Sequence, residues 1–229
     1  MKITFLGTAH GMPNPERNRQ SILIELGGAA YLFDAGAPVL PLLQNRNDDL
    51  SKIKAIFISH SHGDHISNLP NLITSEQVHA NVFLPEENLV LRYEKDYHVQ
   101  ASLIQKGRLY HDEHCTVTAF STTHLTDDFG NSLSNGFLIE AEGKKVHITG
   151  DYNIKDFPHY AYDTPIDLLI SECAHFAPDA LFSECAKCQL GAVAILHVYP
   201  AERYDLLSKQ QPLLPYPLLL PNDGDDFVL

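Results

Sequence analysis

Apolar positions come in short bursts along this chain. In the first half, runs of β-branched and aromatic residues at 3–6, 21–26, 30–33, 53–59 and 81–84 predict strands. Between them, residues 39–45, 66–76 and 86–97 mix apolar and polar positions at a spacing that suits helices. The second half repeats the style, with strands expected at 116–121, 136–141, 145–149, 168–171 and 192–197 and helices at 178–187 and 201–209. Glu142-Gly143 falls between two of these runs and reads as a hairpin turn, because glycine reaches positive φ without a steric cost. Strand-rich stretches with helices in both halves predict two sheets packed face to face and covered outside by helices, an α/β layered sandwich.

Length and composition narrow this picture. A chain of 229 residues is long enough to bury a large core around an internal site, and one domain spanning 1–229 is the default expectation. With 44% hydrophobic and 20% charged residues it has the balance of a globular protein and no disordered bias. The formal charge of −13 disfavours broad electrostatic capture of nucleic acid, which needs a Lys/Arg surface; bound divalent cations could offset that locally. The start, MKITFLGTAHG, has no signal-peptide apolar region. The apolar stretch 213–220 is broken by Pro215 and Pro217 and is far too short to span a bilayer. A soluble cytoplasmic protein with reduced thiols at Cys115, Cys173, Cys185 and Cys188 is therefore expected, with no membrane partner.

The chemistry concentrates in Phe57-Ile58-Ser59-His60-Ser61-His62-Gly63-Asp64-His65, where an apolar strand runs straight into imidazoles and a carboxylate. Unpaired polar groups are costly in a core, and a solvated loop has no need of three histidines and an aspartate so close together. A strand end is rigid while the loop beyond it can turn inward, so His60 and His62 can serve one ion while Asp64 and His65 reach a second. Further along, His124 in Ser-Thr-Thr-His-Leu, Asp151 in Thr-Gly-Asp and His197 in Ile-Leu-His-Val each follow or end an expected strand. Taken singly, each could be a ligand or an ordinary polar residue.

The His-x-His-x-Asp-His segment resembles the signature of the metallo-β-lactamase superfamily, and His124, Asp151 and His197 follow it in the family's order. The flanking Leu6-Gly7-Thr8, Phe33-Asp34-Ala35-Gly36 and Asn222-Asp223-Gly224 are most similar to the branch containing ribonuclease Z and related phosphodiesterases. The resemblance implies a four-layer αββα sandwich and two divalent metal ions. His60, His62 and His124 would hold one ion, Asp64, His65 and His197 the other, and Asp151 would bridge them. It implies a hydrolase that activates water, with Asp64 orienting the nucleophile. Zinc is the first expectation, and His/Asp ligation also suits manganese or iron. Asp34 would brace the metal loop, or else act as a cap or turn residue.

The chain also departs from that branch. Nothing within it has the length or basic, glycine-rich character of the tRNA-gripping arm of ribonuclease Z. The segment resembling His-Glu-Ala-Thr reads Ser171-Glu172-Cys173-Ala174, so Ser171 stands where the family has a catalytic histidine. His175, just beyond, could give a proton to a leaving group or be a satisfied structural histidine. These features favour a phosphodiesterase acting on a small-molecule or nucleotide-like substrate. A ribonuclease Z-like RNA endonuclease, or a thioester, lactone or amide hydrolase using the same ions, is the alternative. A non-hydrolytic metal protein fits less well, because structural zinc saturates four protein ligands. Homodimer formation is left open.

Weaker signals remain. His10 and Arg17 lie in the loop after the first strand, where Arg17 could bind a phosphate or carboxylate or simply be solvated. Cys185-Ala186-Lys187-Cys188 has redox or zinc-like spacing but lacks a second pair, and His111 and His114 sit in a polar segment that reads as a loop. The acidic stretch 223–226 reads as a turn before a last strand.

Overall fold

The alternation of short apolar runs with turn residues becomes two seven-stranded sheets. The computed structural model describes residues 1–229, apart from the side chain of residue 212. The strands are β1 (Lys2–Gly7), β2 (Ser21–Leu26), β3 (Ala29–Phe33), β4 (Ile53–Phe57), β5 (Asn81–Leu84), β6 (Ala101–Leu103), β7 (Gly107–His111), β8 (Thr116–Thr126), β9 (Ser132–Ala141), β10 (Lys144–Ile148), β11 (Ile166–Cys173), β12 (Leu190–Val198), β13 (Leu218–Leu219) and β14 (Asp226–Val228). The α-helices are α1 (Val39–Asn45), α2 (Gly63–Ile66), α3 (Leu69–Ile73), α4 (Glu87–Tyr97), α5 (Pro178–Cys185) and α6 (Arg203–Gln210). Two compact units emerge, one formed by residues 1–105 and 222–229 and the other by 106–221. Among the described residues, no helix is long and apolar enough to cross a membrane.

In the first unit the strand order is β14-β1-β2-β3-β4-β5-β6. The β3 to β6 side is parallel, which requires crossover connections, and α1 and α4 supply two of them. One face of the sheet packs Leu23, Leu32, Ile56, Ile58 and Val82 against Val39 and Leu43 of α1, Leu69 and Leu72 of α3, and Tyr93 of α4. Each fully buried Leu or Ile contributes about 2 kcal/mol of burial free energy. Along the other face, Phe33, Phe57 and Phe83 stack as a ladder with ring centroids 5.0 Å apart at each step. With both faces covered, the strands read as continuous apolar runs rather than alternating ones.

The second unit has the order β13-β12-β11-β10-β9-β8-β7. The Glu142-Gly143 turn joins β9 to β10 antiparallel, with Lys144 opposite Ala141. Both turn residues have positive φ, the conformation whose twist matches the flanking strands. Strands β10 to β13 run parallel, with α5 between β11 and β12 and α6 between β12 and β13. Their cores share Leu181, Cys185, Val193, Ile195 and Leu207.

Expected and observed elements differ in instructive places. The helix expected over 66–76 is broken into α2 and α3 at Asn68. Its backbone N–H donates to the Ala35 carbonyl at 2.9 Å, and its side-chain amide donates to the Gly36 carbonyl at 2.6 Å. These tertiary bonds pull the chain out of one continuous helix. Strand β8 continues to Thr126 rather than stopping near 121, through an irregularity between Thr122 and Thr126. Strands β6, β7 and β13 were not expected from the pattern. They are short edge or near-edge segments that gain their conformation from pairing rather than from an alternation of their own.

One buried group couples this fold to acid. His147 on β10 is buried, its Nδ1 lies 2.6 Å from the Tyr160 hydroxyl, and burial pushes its pKa down to about 3. In the unfolded chain the same ring protonates near 6.5. Below that pH the unfolded state binds a proton the folded state refuses, so stability is lost as pH falls from about 6.5 toward 3 and is unaffected above. The slope from this group is at most about 1.4 kcal/mol per pH unit. Urea unfolding of wild type and His147→Phe at pH 7 and pH 4.5 is expected to show a smaller acid loss in the variant. Loss of the Tyr160 hydrogen bond should appear as an offset common to both pH values.

Candidate metal centre

The first unit places its histidine cluster just past the end of β4. Ile58 still hydrogen-bonds in register, its N–H donating to Phe83, after which the chain turns at Ser59 and enters α2. His60 and His65 are fully buried, Asp64 is half-buried and His62 is exposed. His60 Nε2 lies 3.0 Å from His62 Nδ1, and His65 Nε2 lies 3.5 Å from Asp64 Oδ2. These two donor pairs are the ones the sequence assigns to separate ions.

Asp34 organises this loop. It ends β3 in the left-handed region at φ 60, a conformation unfavourable for a non-glycine residue. Its buried carboxylate accepts the Ser59 N–H at 2.7 Å, the Ser59 hydroxyl at 3.0 Å and the His65 Nδ1–H at 2.7 Å. With Nδ1 so committed, His65 presents Nε2 as its ligand atom. Asp34 therefore braces the loop as the sequence suggested. Gly36 lets the segment after β3 lie against it: a Cβ there would sit 1.6 Å from the Asp64 carbonyl oxygen.

The second unit gathers His124, Asp151, His175 and His197, all from segments at or beyond strand ends. Two of these imidazoles are aimed by irregularities in the ladder. In β12 the register shifts so that Leu196 and Val198 face consecutive residues of β11, leaving His197 as the extra residue at φ 50. In β8, His124 lies in the interval between Thr122 and Thr126 where pairing with β9 slips. A bulge bends the strand and redirects one side chain, a recurring device beside functional sites.

Asp151 is buried, and its Oδ2 lies 3.7 Å from His124 Nε2 and 3.7 Å from His197 Nε2. Both separations exceed hydrogen-bond length. They match the spacing of neighbouring ligands around a tetrahedral ion, about 3.4 Å for bonds near 2.1 Å. The donor set thus fits a divalent cation in chemistry and in spacing.

Glu172 emerges as a residue that the sequence reading did not single out. It is buried at the end of β11, and its carboxylate accepts the backbone N–H groups of Tyr152, Ala174 and His175 at 2.9, 2.9 and 3.1 Å. The same carboxylate binds His175 Nδ1 at 2.8 Å, and that nitrogen lies 3.9 Å from Asp151 Oδ2. Asp151, Glu172, His175 and His197 also form a group whose ligand atoms lie within 4.8 Å of one another. Ser171 is buried, with its hydroxyl 3.1 Å from the Tyr152 hydroxyl and donating to the Glu172 carbonyl. Its place in the site is structural, and the exposed imidazole nearby is His175.

The residues behind the weaker signals make hydrogen bonds of their own. Arg17 donates to the Thr8 hydroxyl at 2.7 Å and to the Asn222 side chain at 2.8 Å, and His10 Nδ1 accepts the Met12 N–H. Cys185 and Cys188 straddle the end of α5, where burial pushes their thiols up to about 12 and about 11, so both stay protonated. His111 pairs with Thr116 within the β7–β8 hairpin, and Asp112 caps the turn that carries His114.

Comparison with known proteins gives this geometry a family context. The family model described as Anti-Pycsar protein Apyc1 matches residues 1–94. A ribonuclease Z of Staphylococcus carnosus is 36% identical over 147 residues, which are 57% of this chain and 48% of that protein. The chain spans about half the length of the curated relatives it matches. Among solved structures, the metallo-β-lactamase fold protein YhfI from Bacillus subtilis aligns with a TM-score of 0.81 at 19% identity, covering 99% of both chains. The short form of human tRNase Z aligns with a TM-score of 0.77 at 21% identity, covering 100% of this chain and 99% of that one. The fold class is thus the α/β sandwich expected from the sequence. Over part of its length the chain is thus similar to ribonuclease Z proteins, and it shares its fold with the metallo-β-lactamase fold protein YhfI and the short form of human tRNase Z.

Proposed function

We propose that this chain is a metal-dependent hydrolase that cleaves a small or nucleotide-like phosphodiester. The observation that carries the reading is the Asp151 carboxylate, held at equal distance from His124 and His197. His60, His62 and His124 would hold one divalent ion, Asp64, His65 and His197 a second, and Asp151 would serve both. Zinc suits this nitrogen and oxygen set, and manganese or iron could replace it. Bound there, the pair of ions would activate water near neutral pH and stabilise charge on the attacking and leaving oxygens of an in-line displacement.

The chain's own residues supply the rest. Asp64, anchored within the first turn of α2, orients the attacking water. His175, with Nδ1 bound by Glu172, offers Nε2 as the proton donor to the leaving group. Asp34 keeps His65 in the tautomer that leaves Nε2 for the ion.

A second reading, an RNA endonuclease, is favoured by the identity shared with ribonuclease Z. The net charge of −13 and the absence of a long basic insertion within residues 1–229 weigh against it. Thioester and lactone hydrolysis by the same ions is the third.

The deciding experiment is a substrate panel on protein whose bound metal has been quantified. We expect turnover of p-nitrophenyl phosphodiesters and of a dinucleotide, none of thioesters or lactones, and complete loss in Asp151→Ala. Cleavage of a precursor tRNA faster than either small diester would favour the endonuclease, and turnover confined to thioesters or lactones would overturn the phosphodiester assignment. Asp34→Asn should weaken metal affinity by roughly ten- to a hundredfold, read by chelator competition, with little change in thermal midpoint when metal is saturating.

A further inference from the structure

The turn that carries His175 is gripped from two sides. Glu172 holds its amide side through the N–H groups of Ala174 and His175. Arg203, at the first position of α6, holds its carbonyl side. The Arg203 guanidinium donates from Nη1 to the Cys173 carbonyl at 2.8 Å and to the Ala174 carbonyl at 2.9 Å. The Tyr199 N–H also reaches the Cys173 carbonyl, at 3.4 Å. Arg203 is itself tied to the segment after β12, its N–H donating to the Pro200 carbonyl at 3.0 Å.

Those contacts bolt the segment following β12 onto the turn following β11. The consequence is geometric. His197 sits on the bulge of β12 and His175 on the turn after β11, and their rings lie nearly parallel, centroids 6.0 Å apart at 21°. His175 also meets His124 edge to face at 4.5 Å. Glu172, at the end of β11, fixes where Nδ1 of His175 points. The β11–β12 ladder pairs up to Cys173, and Arg203 extends the tie past the strand end to the Ala174 carbonyl, next to His175. Its charged, planar head satisfies two carbonyls at once from one nitrogen, whereas lysine would present a mobile point charge.

We infer that Arg203 is a positioning residue for proton donation: it sets the distance between the His175 imidazole and the ligands Asp151 and His197. The inference rests on the reading of His175 as the proton donor. A displacement of about 1 Å in a donor can cost on the order of a hundredfold in rate. That cost falls only on substrates whose leaving group needs a proton. A p-nitrophenolate leaves without one, and the alkoxide of a dinucleotide does not.

The test compares kcat and KM for a p-nitrophenyl diester and a dinucleotide in wild type, His175→Ala, Arg203→Ala, Arg203→Lys and the double alanine variant, with bound metal and thermal midpoint measured for each. For Arg203→Ala we expect kcat on the dinucleotide to fall roughly ten- to a hundredfold, against less than about threefold on the p-nitrophenyl ester. KM and metal content should stay unchanged. The double variant should be no worse than His175→Ala alone, and Arg203→Lys should recover part of the loss. Equal losses on both substrates, or additive losses in the double variant, would overturn the inference while leaving the role of His175 intact. A His175→Ala variant with no preference between leaving groups would remove His175 as donor and Arg203 with it. Should Arg203→Ala fail to fold, the lysine variant carries the same comparison.

Discussion

A carboxylate buried at the end of a strand, in a backbone conformation that only glycine adopts freely, is the constraint from which the metal loop follows. Asp34 bears a strained φ and a desolvated charge. Both costs are offset because it collects the Ser59 amide, the Ser59 hydroxyl and the His65 ring in one place. Those bonds stop β4 from continuing, turn the chain into α2, and choose which nitrogen His65 presents. The close approach of Gly36 to the Asp64 carbonyl completes the brace. The same logic recurs at Glu172, a second buried carboxylate at a strand end that gathers backbone amides and an imidazole. Each unit thus builds its share of the chemistry on one anionic anchor.

Irregularity in otherwise regular ladders does the aiming. An uninterrupted strand alternates its side chains between two faces and could not add an imidazole at an odd position without moving every neighbour to the wrong side. The register slips at His197 and within Thr122–Thr126 avoid that by inserting residues rather than shifting the strand. The core residues Val193, Ile195 and Val198 stay buried while the histidine between them is redirected.

The legible part of this protein was the part written contiguously. Strong apolar runs marked β1 to β5 and the central strands of the second unit. Glu142-Gly143 marked a hairpin, and six residues from His60 to His65 carried enough chemistry to suggest an ion site unaided. His124, Asp151 and His197 were legible only through their order in a family pattern, because a lone polar residue after a strand has many ordinary explanations. Glu172 and Arg203 left no local signature. The value of Glu172 comes from burial beneath three amides, and Arg203 meets its carbonyl partners 29 and 30 residues away. No periodicity encodes such contacts. The break between α2 and α3 escaped notice for the same reason, since Asn68 is drawn aside by carbonyls of Ala35 and Gly36 rather than by its neighbours in sequence.

The account stands on seven side chains, spread from His60 to His197, serving as ligands to two cations. The most direct measurement is anomalous diffraction from crystals grown with excess zinc or manganese. It should show a pair of peaks in each chain, one contacted by His60, His62 and His124 and the other by Asp64, His65 and His197, with Asp151 touching both. Crystals that diffract well under those conditions and show no anomalous density at these residues would contradict the account at its root.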